Sequence, residues 1–341
     1  MHPLAQDLDH VLAHTGDIWP ELRGASIFIT GGTGFVGTWL LESLVWAEDK
    51  FHLGTHTTLI TRAPDAFARK APHLAAHPAL HVVEADSSCF PFPEGEFQFV
   101  IHTATERHFD AVPEQPLATF DRDVKSTRRV LEFARTHGTR RLLFTSSGAM
   151  YGRQPSDLTH IPEDYPGGPG AMDMRSAYGQ GKRISEWMSA MYAAQYGFDA
   201  LIARLFAFVG PHLPLDANFA VGNFIRDAIK GGPVRIGGDG TPYRSYLYAA
   251  DLAIWLWTIL VKGTSCRPYN VGSGEAITIA DLARTVVANT RPEVAIEIAG
   301  KPVPGQPAAR YVPDVTRAQE LGLTPWIGLA EGVRRTYAWN L

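Results

Sequence analysis

The sequence predicts an α/β fold, in which a doubly wound parallel sheet is joined to a smaller, discontinuous C-terminal lobe. Short apolar runs typical of strands alternate with segments of helical spacing over residues 25–206. A glycine cluster follows the first of these strands directly, and Gly, Pro and aromatic residues become dense after residue 206. The 341 residues suffice for about two domains.

The elements follow one another in the order that parallel βαβ units require. Strands are predicted at 26–30, 57–61, 80–84, 97–102, 141–145 and 200–206. Helices are predicted at 4–13, from Phe35 onward, at 121–137 and at 176–196. Each helix places apolar residues at spacings of three and four, and each strand is a short apolar run. An irregular, Pro/Gly-rich excursion occupies residues 153–170.

Composition excludes several classes of protein. The 31 basic and 35 acidic residues give a net charge of −4, and no basic stripe of the kind that binds nucleic acid is present. Two cysteines cannot build a disulfide framework, and neither has the spacing of a zinc site, so no metal is predicted. The apolar run 252–261 is about half a membrane span, and no secretory signal is seen. We therefore expect a cytoplasmic protein without membrane contact.

A glycine-rich loop connects the first strand to the first long helix. Glycines at 31, 34 and 37 form G-x-x-G-x-x-G, with Thr33, Phe35 and Val36 between them. The first glycine allows a tight turn, the second lets the backbone approach a pyrophosphate, and the third lets the helix pack on the strand. The helix N-terminus then attracts the phosphates. This context predicts a dinucleotide site.

The other strand ends predict the rest of that site. The second strand ends in Thr61-Arg62, with no acid for a ribose 2′-hydroxyl, so Arg62 favours NADP while NAD stays open. Asp86, followed by Ser87, is placed to bond the adenine amine. Ligands bind outside the carboxyl ends of such strands. Further cofactor contacts are therefore expected from Thr103, Ala104, Thr105, Thr145 and Phe206.

A serine, a tyrosine and a lysine predict the chemistry. Tyr178 and Lys182 share one helical face, and Ser147 ends the preceding strand. The ammonium of Lys182 is expected to stabilise the phenolate and to lower the pKa of Tyr178 from about 10. Tyr178 could then exchange a proton with a substrate oxygen that Ser147 polarises.

With these motifs the chain resembles an extended short-chain dehydrogenase/reductase of the nucleotide-sugar epimerase/dehydratase family. Later landmarks agree: Arg204–Pro211, Gly238–Asp251, Tyr269–Gly272 and Leu321–Pro325. The resemblance implies a Rossmann-type dinucleotide-binding domain at 25–206 and a substrate lobe in most of 207–341, with 247–270 returning to the main domain. Residues 1–24 would be an N-terminal helical extension. The 121–137 and 176–196 helices resemble a family dimer interface, so a homodimer is expected.

The resemblance also implies the reaction. Tyr178 would be the base while a sugar carbon of a nucleotide-diphosphate sugar is oxidised, followed by epimerisation, dehydration or decarboxylation; a reductase would use NADPH once. Gly148 and Ala149 stand where the family's dehydratases carry an acidic pair. The glutamate that decarboxylases carry near there is also absent. A 4-epimerase is therefore preferred, a keto-sugar reductase comes next, and a dehydratase using Glu106 or His108 stays open.

Substrate contacts are predicted from the lobe. Arg244 and Arg310 are candidate diphosphate clamps, because the guanidinium fork suits phosphate. Asn218, Phe219 and Asn223 are candidates for the nucleotide pocket, and Glu106 and Ser147 for the sugar. Two family contacts are altered, to Ala207 and Ser245.

Two alternative functions compete with this one. A cofactor-sensing regulatory protein would not need Tyr178 and Lys182, so their presence together with Ser147 argues against it. A redox enzyme for a lipid or aldehyde would not need Arg244 or Arg310 in the cleft. Trp255 and Trp257 are expected in the core.

Overall fold

The computed structural model describes residues 2–105, 115–217 and 219–341. Its helices are α1 Ala5–Thr15, α2 Phe35–Phe51, α3 Pro64–Lys70, α4 Pro72–Ala75, α5 Pro116–Thr136, α6 Ala177–Tyr196, α7 Ala220–Ile229, α8 Ala249–Lys262, α9 Ile279–Asn289, α10 Thr316–Gln319 and α11 Leu329–Trp339. Short 3₁₀ turns lie at Trp19–Leu22, Gly148–Tyr151 and Met174–Ser176. Its strands are β1 Ser26–Thr30, β2 His56–Thr61, β3 Leu80–Glu84, β4 Phe99–His102, β5 Arg141–Ser147, β6 Asp199–Leu205, β7 Phe208–Val209, β8 Val234–Ile236, β9 Tyr243–Arg244, β10 Leu247–Tyr248, β11 Tyr269–Val271, β12 Ile277–Thr278 and β13 Ile296–Ile298.

A seven-stranded parallel sheet forms the centre of the molecule. Its order is β11-β6-β5-β4-β1-β2-β3, with every neighbouring pair parallel. The chain moves outward from β1 through β2 and β3, and then crosses to β4 on the other side of β1. This reversal opens a crevice beyond the carboxyl ends of β1 and β4. The predicted α/β, Rossmann-type fold is confirmed.

The predicted elements differ from the structure mainly at their ends. β1 and β3 have the predicted bounds, whereas β4 begins at Phe99 and β5 continues to Ser147. α5 begins at Pro116 instead of residue 121. The seventh strand, β11, was not predicted, because three residues are too few for a recognisable period.

Helices cover both faces of the sheet with separate apolar cores. On one face, Phe28 of β1 packs on Phe133 of α5, with ring centroids 4.3 Å apart. On the other face, α2 and α8 meet through fully buried tryptophans. Trp257 donates its indole N–H to Ser43 Oγ at 2.8 Å, and Trp255 is equally buried, which confirms the predicted core role of both.

The first 24 residues pack against this second core. Tyr248 donates its hydroxyl to Asp7 Oδ2 at 2.6 Å, and His10 Nε2 lies 2.9 Å from Asp251 Oδ1. These pairs attach α1 to the start of α8. In the described ranges, no helix combines the length and the apolar character needed to cross a membrane.

Three two-stranded sheets pack with α7, α9 and α11 beside the central sheet and form a smaller region, called the lobe. β7 pairs with β10, β8 with β13, and β9 with β12. The 153–170 excursion is tied to the C-terminal part, because Ile161 N–H donates to Val312 O at 2.9 Å. Arg204 of β6 also anchors it, because its guanidinium donates to the carbonyl oxygen of Glu163 at 2.8 Å. These contacts bring the 310–314 segment to the carboxyl edge of the sheet.

Candidate active site

A cleft of about 840 Å³ opens at the carboxyl edge of the sheet, between the sheet and the lobe. All of the predicted cofactor residues line it: Gly31, Thr33, Gly34, Phe35, Val36, Gly37, Arg62, Asp86, Ser87, Thr103, Ala104, Thr105, Thr145 and Phe206. Ser147, Tyr178 and Lys182 line the same cleft. The structure thus brings the glycine loop and the Ser-Tyr-Lys set into one cavity.

The glycine loop has no room for side chains at two of its three glycines. Gly31 has a φ of +74°, and a Cβ there would lie 2.5 Å from the backbone nitrogen of Ala104. A Cβ on Gly37 would lie 2.3 Å from the carbonyl oxygen of Gly31. Gly34 precedes α2 as its N-cap, and no side chain caps that helix end. The N-terminus of α2 therefore faces the cleft as bare backbone, which fits a diphosphate.

The residues at the carboxyl ends of β2 and β3 line the cleft beside the glycine loop. β2 ends at Thr61, and the next residue, where an acid could bind a ribose hydroxyl, is Arg62. Thr33 Oγ1 of the glycine loop lies 3.5 Å from Thr61 Oγ1. Asp86 accepts hydrogen bonds from the Ser88 hydroxyl and N–H at 2.6 and 2.8 Å. The Ser88 hydrogen bond, helped by the charge of Arg62, lowers the pKa of Asp86. Asp86 is therefore an anion at neutral pH.

β5 and α6 position the Ser-Tyr-Lys set. Ser147 ends β5, and its Oγ accepts the N–H of Ala149 at 3.1 Å. Tyr178 and Lys182 lie one turn apart on α6, with Lys182 Nζ 5.6 Å from the centre of the Tyr178 ring. Lys182 donates to the carbonyl oxygen of Thr145 at 3.1 Å, which fixes the ammonium beside the strand end.

The expected low pKa of Tyr178 is not found. Burial, reinforced by the charge of Asp123, raises the pKa of Tyr178 to about 12, and hydrogen bonds from Ser147 and Thr105 only partly oppose this. Burial also lowers the pKa of Lys182. The sequence-based expectation considered the ammonium alone, whereas desolvation and a second carboxylate dominate in the fold. Tyr178 is therefore a neutral phenol, ready to donate a proton, in this state of the protein.

Asp123 of α5 is a buried carboxylate in the cleft wall that the sequence analysis missed. Its Oδ2 has no hydrogen-bond partner among the described residues. Burial raises the pKa of Asp123, and the nearby Lys182 opposes the rise. The spacing of Asp123, Thr127 and Val130 at i, i+4 and i+7, all on the buried face, was the available signal.

Tyr311 is the second residue that was missed. It lines the cleft, and burial raises the pKa of its phenol while an interaction with Ser147 opposes the rise. A Cβ on Gly148 would lie 2.6 Å from the Tyr311 hydroxyl and 2.8 Å from the Phe206 ring. Position 148 is therefore small because Tyr311 and Phe206 occupy the space of a side chain. Nothing in the local sequence around 311 indicates this, since the contact spans more than 160 residues.

The predicted substrate residues are only partly brought together. Phe219, Asn223 and Arg244 line the cleft, as does Ala207. Arg310 does not line it, because its guanidinium lies over the ring of Tyr243, 4.1 Å from the centroid. Arg235, which was not predicted, is a further lining cation. The predictions for Glu106, His108 and Asn218 fall outside the described residues.

Comparisons with known proteins agree with this arrangement. The model of the NAD dependent epimerase/dehydratase family matches residues 27–272. UDP-glucuronic acid decarboxylase 6 of Arabidopsis thaliana is 30% identical over 309 residues, which is 90% of this chain and 86% of that protein.

Two solved structures share the fold. UDP-glucose 4-epimerase of Thermotoga maritima, solved with UDP-glucose, has a TM-score of 0.76 at 22% identity, covering 92% of this chain and 98% of that one. A variant of UDP-glucuronic acid 4-epimerase from Bacillus cereus, solved with NAD and a fluorinated sugar nucleotide, has a TM-score of 0.79 at 21% identity with the same coverage.

Proposed function

The chain belongs to the NAD dependent epimerase/dehydratase family and is an enzyme of that NAD-dependent type; from that premise we propose that it is a nucleotide-sugar 4-epimerase with Tyr178 as its base. The observation that carries the proposal is the single cleft shared by the glycine loop and by Ser147, Tyr178 and Lys182. A UDP-sugar is the proposed substrate class, because UDP-sugars are named in the relatives and neighbours.

The residues present fit a dinucleotide. The backbone of the loop at Gly31, Gly34 and Gly37 and the uncapped N-terminus of α2 would hold the diphosphate. Asp86 would accept a hydrogen bond from the adenine amine. Bound NAD or NADP supplies reversible oxidation and reduction of a sugar carbon.

Side chains of the protein bind the substrate oxygen and transfer its proton. Ser147 Oγ holds the sugar oxygen, and Tyr178 Oη, once ionised to the phenolate, takes its proton and later returns it. The charge of Lys182 favours the phenolate that forms. Gly148 and Ala149 have no proton to transfer, so no pair there supports loss of water or of carbon dioxide. Removal and return of one proton at the same oxygen is what epimerisation needs.

Decarboxylation is the second candidate, because 30% identity over 90% of the chain links it to UDP-glucuronic acid decarboxylases. Incubation with UDP-glucose, UDP-N-acetylglucosamine and UDP-glucuronic acid, followed by mass spectrometry and NMR of the products, separates the reactions. An epimerase gives a new sugar of unchanged mass, a decarboxylase releases carbon dioxide, and a dehydratase loses water. A reductase consumes NADPH in proportion to product.

Tyr178→Phe is the matched test of the base. We expect it to keep cofactor affinity and to lose about 10²–10⁴-fold in turnover, which is the usual contribution of a general base. Turnover that survives the substitution would remove Tyr178 from this role. Release of a tightly bound NAD(P) on denaturation would support recycling within one turnover, whereas an empty protein that binds NADPH reversibly would favour the reductase.

The preference for NADP is a proposal that rests on Arg62, which lines the cleft after a strand with no terminal acid. A guanidinium there suits a 2′-phosphate. Arg62→Ala should weaken NADP binding far more than NAD binding. Equal losses for both cofactors would contradict it.

A homodimer, a cytoplasmic location and the division into cofactor domain and substrate lobe are also proposed. The dimer is supported by an apolar stripe on α6, in which Ile184, Trp187 and Met191 are exposed at helical spacing. Trp187 alone is 61% exposed. Two free, exposed cysteines, Cys89 and Cys266, are compatible with a reducing compartment.

A further inference from the structure

Three histidines surround one buried glutamate on the flank of α2, outside the catalytic cleft. Glu42 lies in the middle of α2, and its side chain is 3% exposed. His2 comes from the segment before α1, His73 from α4, and His212 from the turn after β7. None of the four lines the cleft. Three segments distant in sequence thus place imidazoles around a carboxylate on a fourth.

The distances within this cluster are those of ligands around one metal ion. His2 Nε2 and His73 Nε2 lie 3.3 Å apart, and they lie 3.3 and 3.0 Å from the same oxygen, Glu42 Oε2. Zinc bonds of about 2.0–2.1 Å at tetrahedral angles separate neighbouring ligand atoms by about 3.3 Å. The three atoms therefore form one face of such a tetrahedron without any rearrangement.

A second observation comes from His212. Its side chain is 7% exposed, and its Nε2 has no hydrogen-bond partner among the described residues. This nitrogen points at the other glutamate oxygen, Oε1, from 3.6 Å. A buried imidazole without a partner is costly, and a slight contraction of the cluster would give it one. In metal sites, a residue that does not touch the metal often hydrogen-bonds a ligating carboxylate and fixes its orientation. His212 is placed to do this for Glu42.

We propose that His2, Glu42 and His73 bind one divalent transition-metal ion of the zinc type, with His212 holding Glu42 in place. Two imidazoles and a carboxylate suit zinc better than magnesium or calcium, which require oxygen ligands. The fourth position is open to water, because the His73 side chain is 44% exposed. The ion would join the segment before α1 to α2 and α4.

This site would stabilise the fold and take no part in catalysis. Glu42 lies seven residues after Phe35, about 10 Å along α2 from the glycine loop. An ion bound only by the folded chain raises the melting temperature by mass action. The inference does not depend on the proposed reaction.

The test uses the full-length chain with a removable C-terminal tag that contains no histidine. After treatment with EDTA, zinc is titrated calorimetrically, and cobalt is added to record visible absorption. We expect one zinc per chain, intense tetrahedral cobalt bands and a higher melting temperature with zinc. His2→Gln and His73→Gln should each weaken zinc binding at least tenfold and abolish the cobalt bands.

His77→Gln is the matched control, because His77 Nε2 lies 3.2 Å from Asp49 Oδ1 in an ordinary pair on the same side of the molecule. It should bind zinc as the unmodified chain does. The His73 side chain is partly exposed, so its variant should melt as the metal-free chain does. Failure to bind zinc at micromolar concentration, or equal binding by the His2→Gln, His73→Gln and His77→Gln variants, would overturn the proposal.

Discussion

Neutralising Asp123 should move the pH profile of the enzyme to lower pH. Asp123 is buried against the turn of α6 that carries Tyr178 and Lys182, since a Cβ on Gly181 would lie 3.4 Å from its Cβ. Its negative charge raises the pKa of Tyr178 and also that of Lys182. Asp123→Asn keeps the shape and removes the charge, so both pKa values should fall.

The magnitude follows from Coulomb's law. One helical turn is about 5.4 Å, and a unit charge at about 6 Å with an effective dielectric of about 20 contributes roughly 3 kcal/mol. A pKa shift of one unit corresponds to about 1.4 kcal/mol, so even half of this Coulomb energy would shift a pKa by about one unit. With the pKa of Tyr178 near 12, activity should rise with pH over the accessible range as the phenolate forms, and loss of charge from Lys182 should limit it at high pH. Both limbs should therefore move by about one unit or more in the same direction.

The assay is kcat/KM for the identified sugar nucleotide from pH 5 to 10, in the unmodified enzyme and in Asp123→Asn. Burial raises the pKa of Asp123, so the carboxyl becomes neutral in the unmodified enzyme as pH falls, and the two profiles should converge there. Asp121→Asn is the control, because Asp121 is exposed on the same helix and pairs with Lys125. It should not move either limb.

The reasoning is refuted if the Asp123→Asn profile superimposes on that of the unmodified enzyme or moves to higher pH. A shift of one limb without the other would mean that Asp123 acts on only one member of the pair. Melting curves of both variants would exclude a change in folding as the cause.

The remaining predictions concern packing and assembly. Tyr311→Phe removes the hydroxyl that lies beside Gly148 and interacts with Ser147. It should lower kcat about tenfold, at about 1 kcal/mol or slightly more, with KM within about twofold. An unchanged kcat would show that the hydroxyl is dispensable. Gly37→Ala should abolish cofactor retention and reduce solubility, because its Cβ would lie 2.3 Å from the carbonyl oxygen of Gly31. In Gly34→Ala the same oxygen would lie 3.4 Å from the new Cβ, so that variant should melt like the unmodified chain. Calorimetry that finds both variants equally stable would contradict this. Trp187→Glu should convert the proposed dimer to a monomer in light scattering, and a persisting dimer would locate the interface elsewhere.

Local signals in the sequence were sufficient for most of the sheet and for the core of the site. Strand patterns predicted six of the seven strands of the central sheet, and the glycine cluster after the first strand predicted the start of α2. The spacing of Tyr178 and Lys182 needed only the pitch of a helix. These features depend on residues within about one turn or one strand of each other, so the chain itself displays them.

Tertiary structure decided what depends on distant segments. It placed Tyr311 against Gly148, and it left Arg310 on the ring of Tyr243 outside the cleft. It also brought His2 and His73 to one oxygen of Glu42, where no cysteine or histidine spacing had predicted a metal.

The sequence by itself determined the type of fold, the glycine loop between β1 and α2, and the spacing that places Ser147, Tyr178 and Lys182 together. Only the tertiary structure decided the electrostatics of that set. A pKa depends on burial and on every charge within a few ångströms, and both are set by packing of α5 on α6. Asp123 lies 55 residues before Tyr178 in the chain and beside it in the fold, so the pKa of Tyr178 rises where the local pattern predicted a fall.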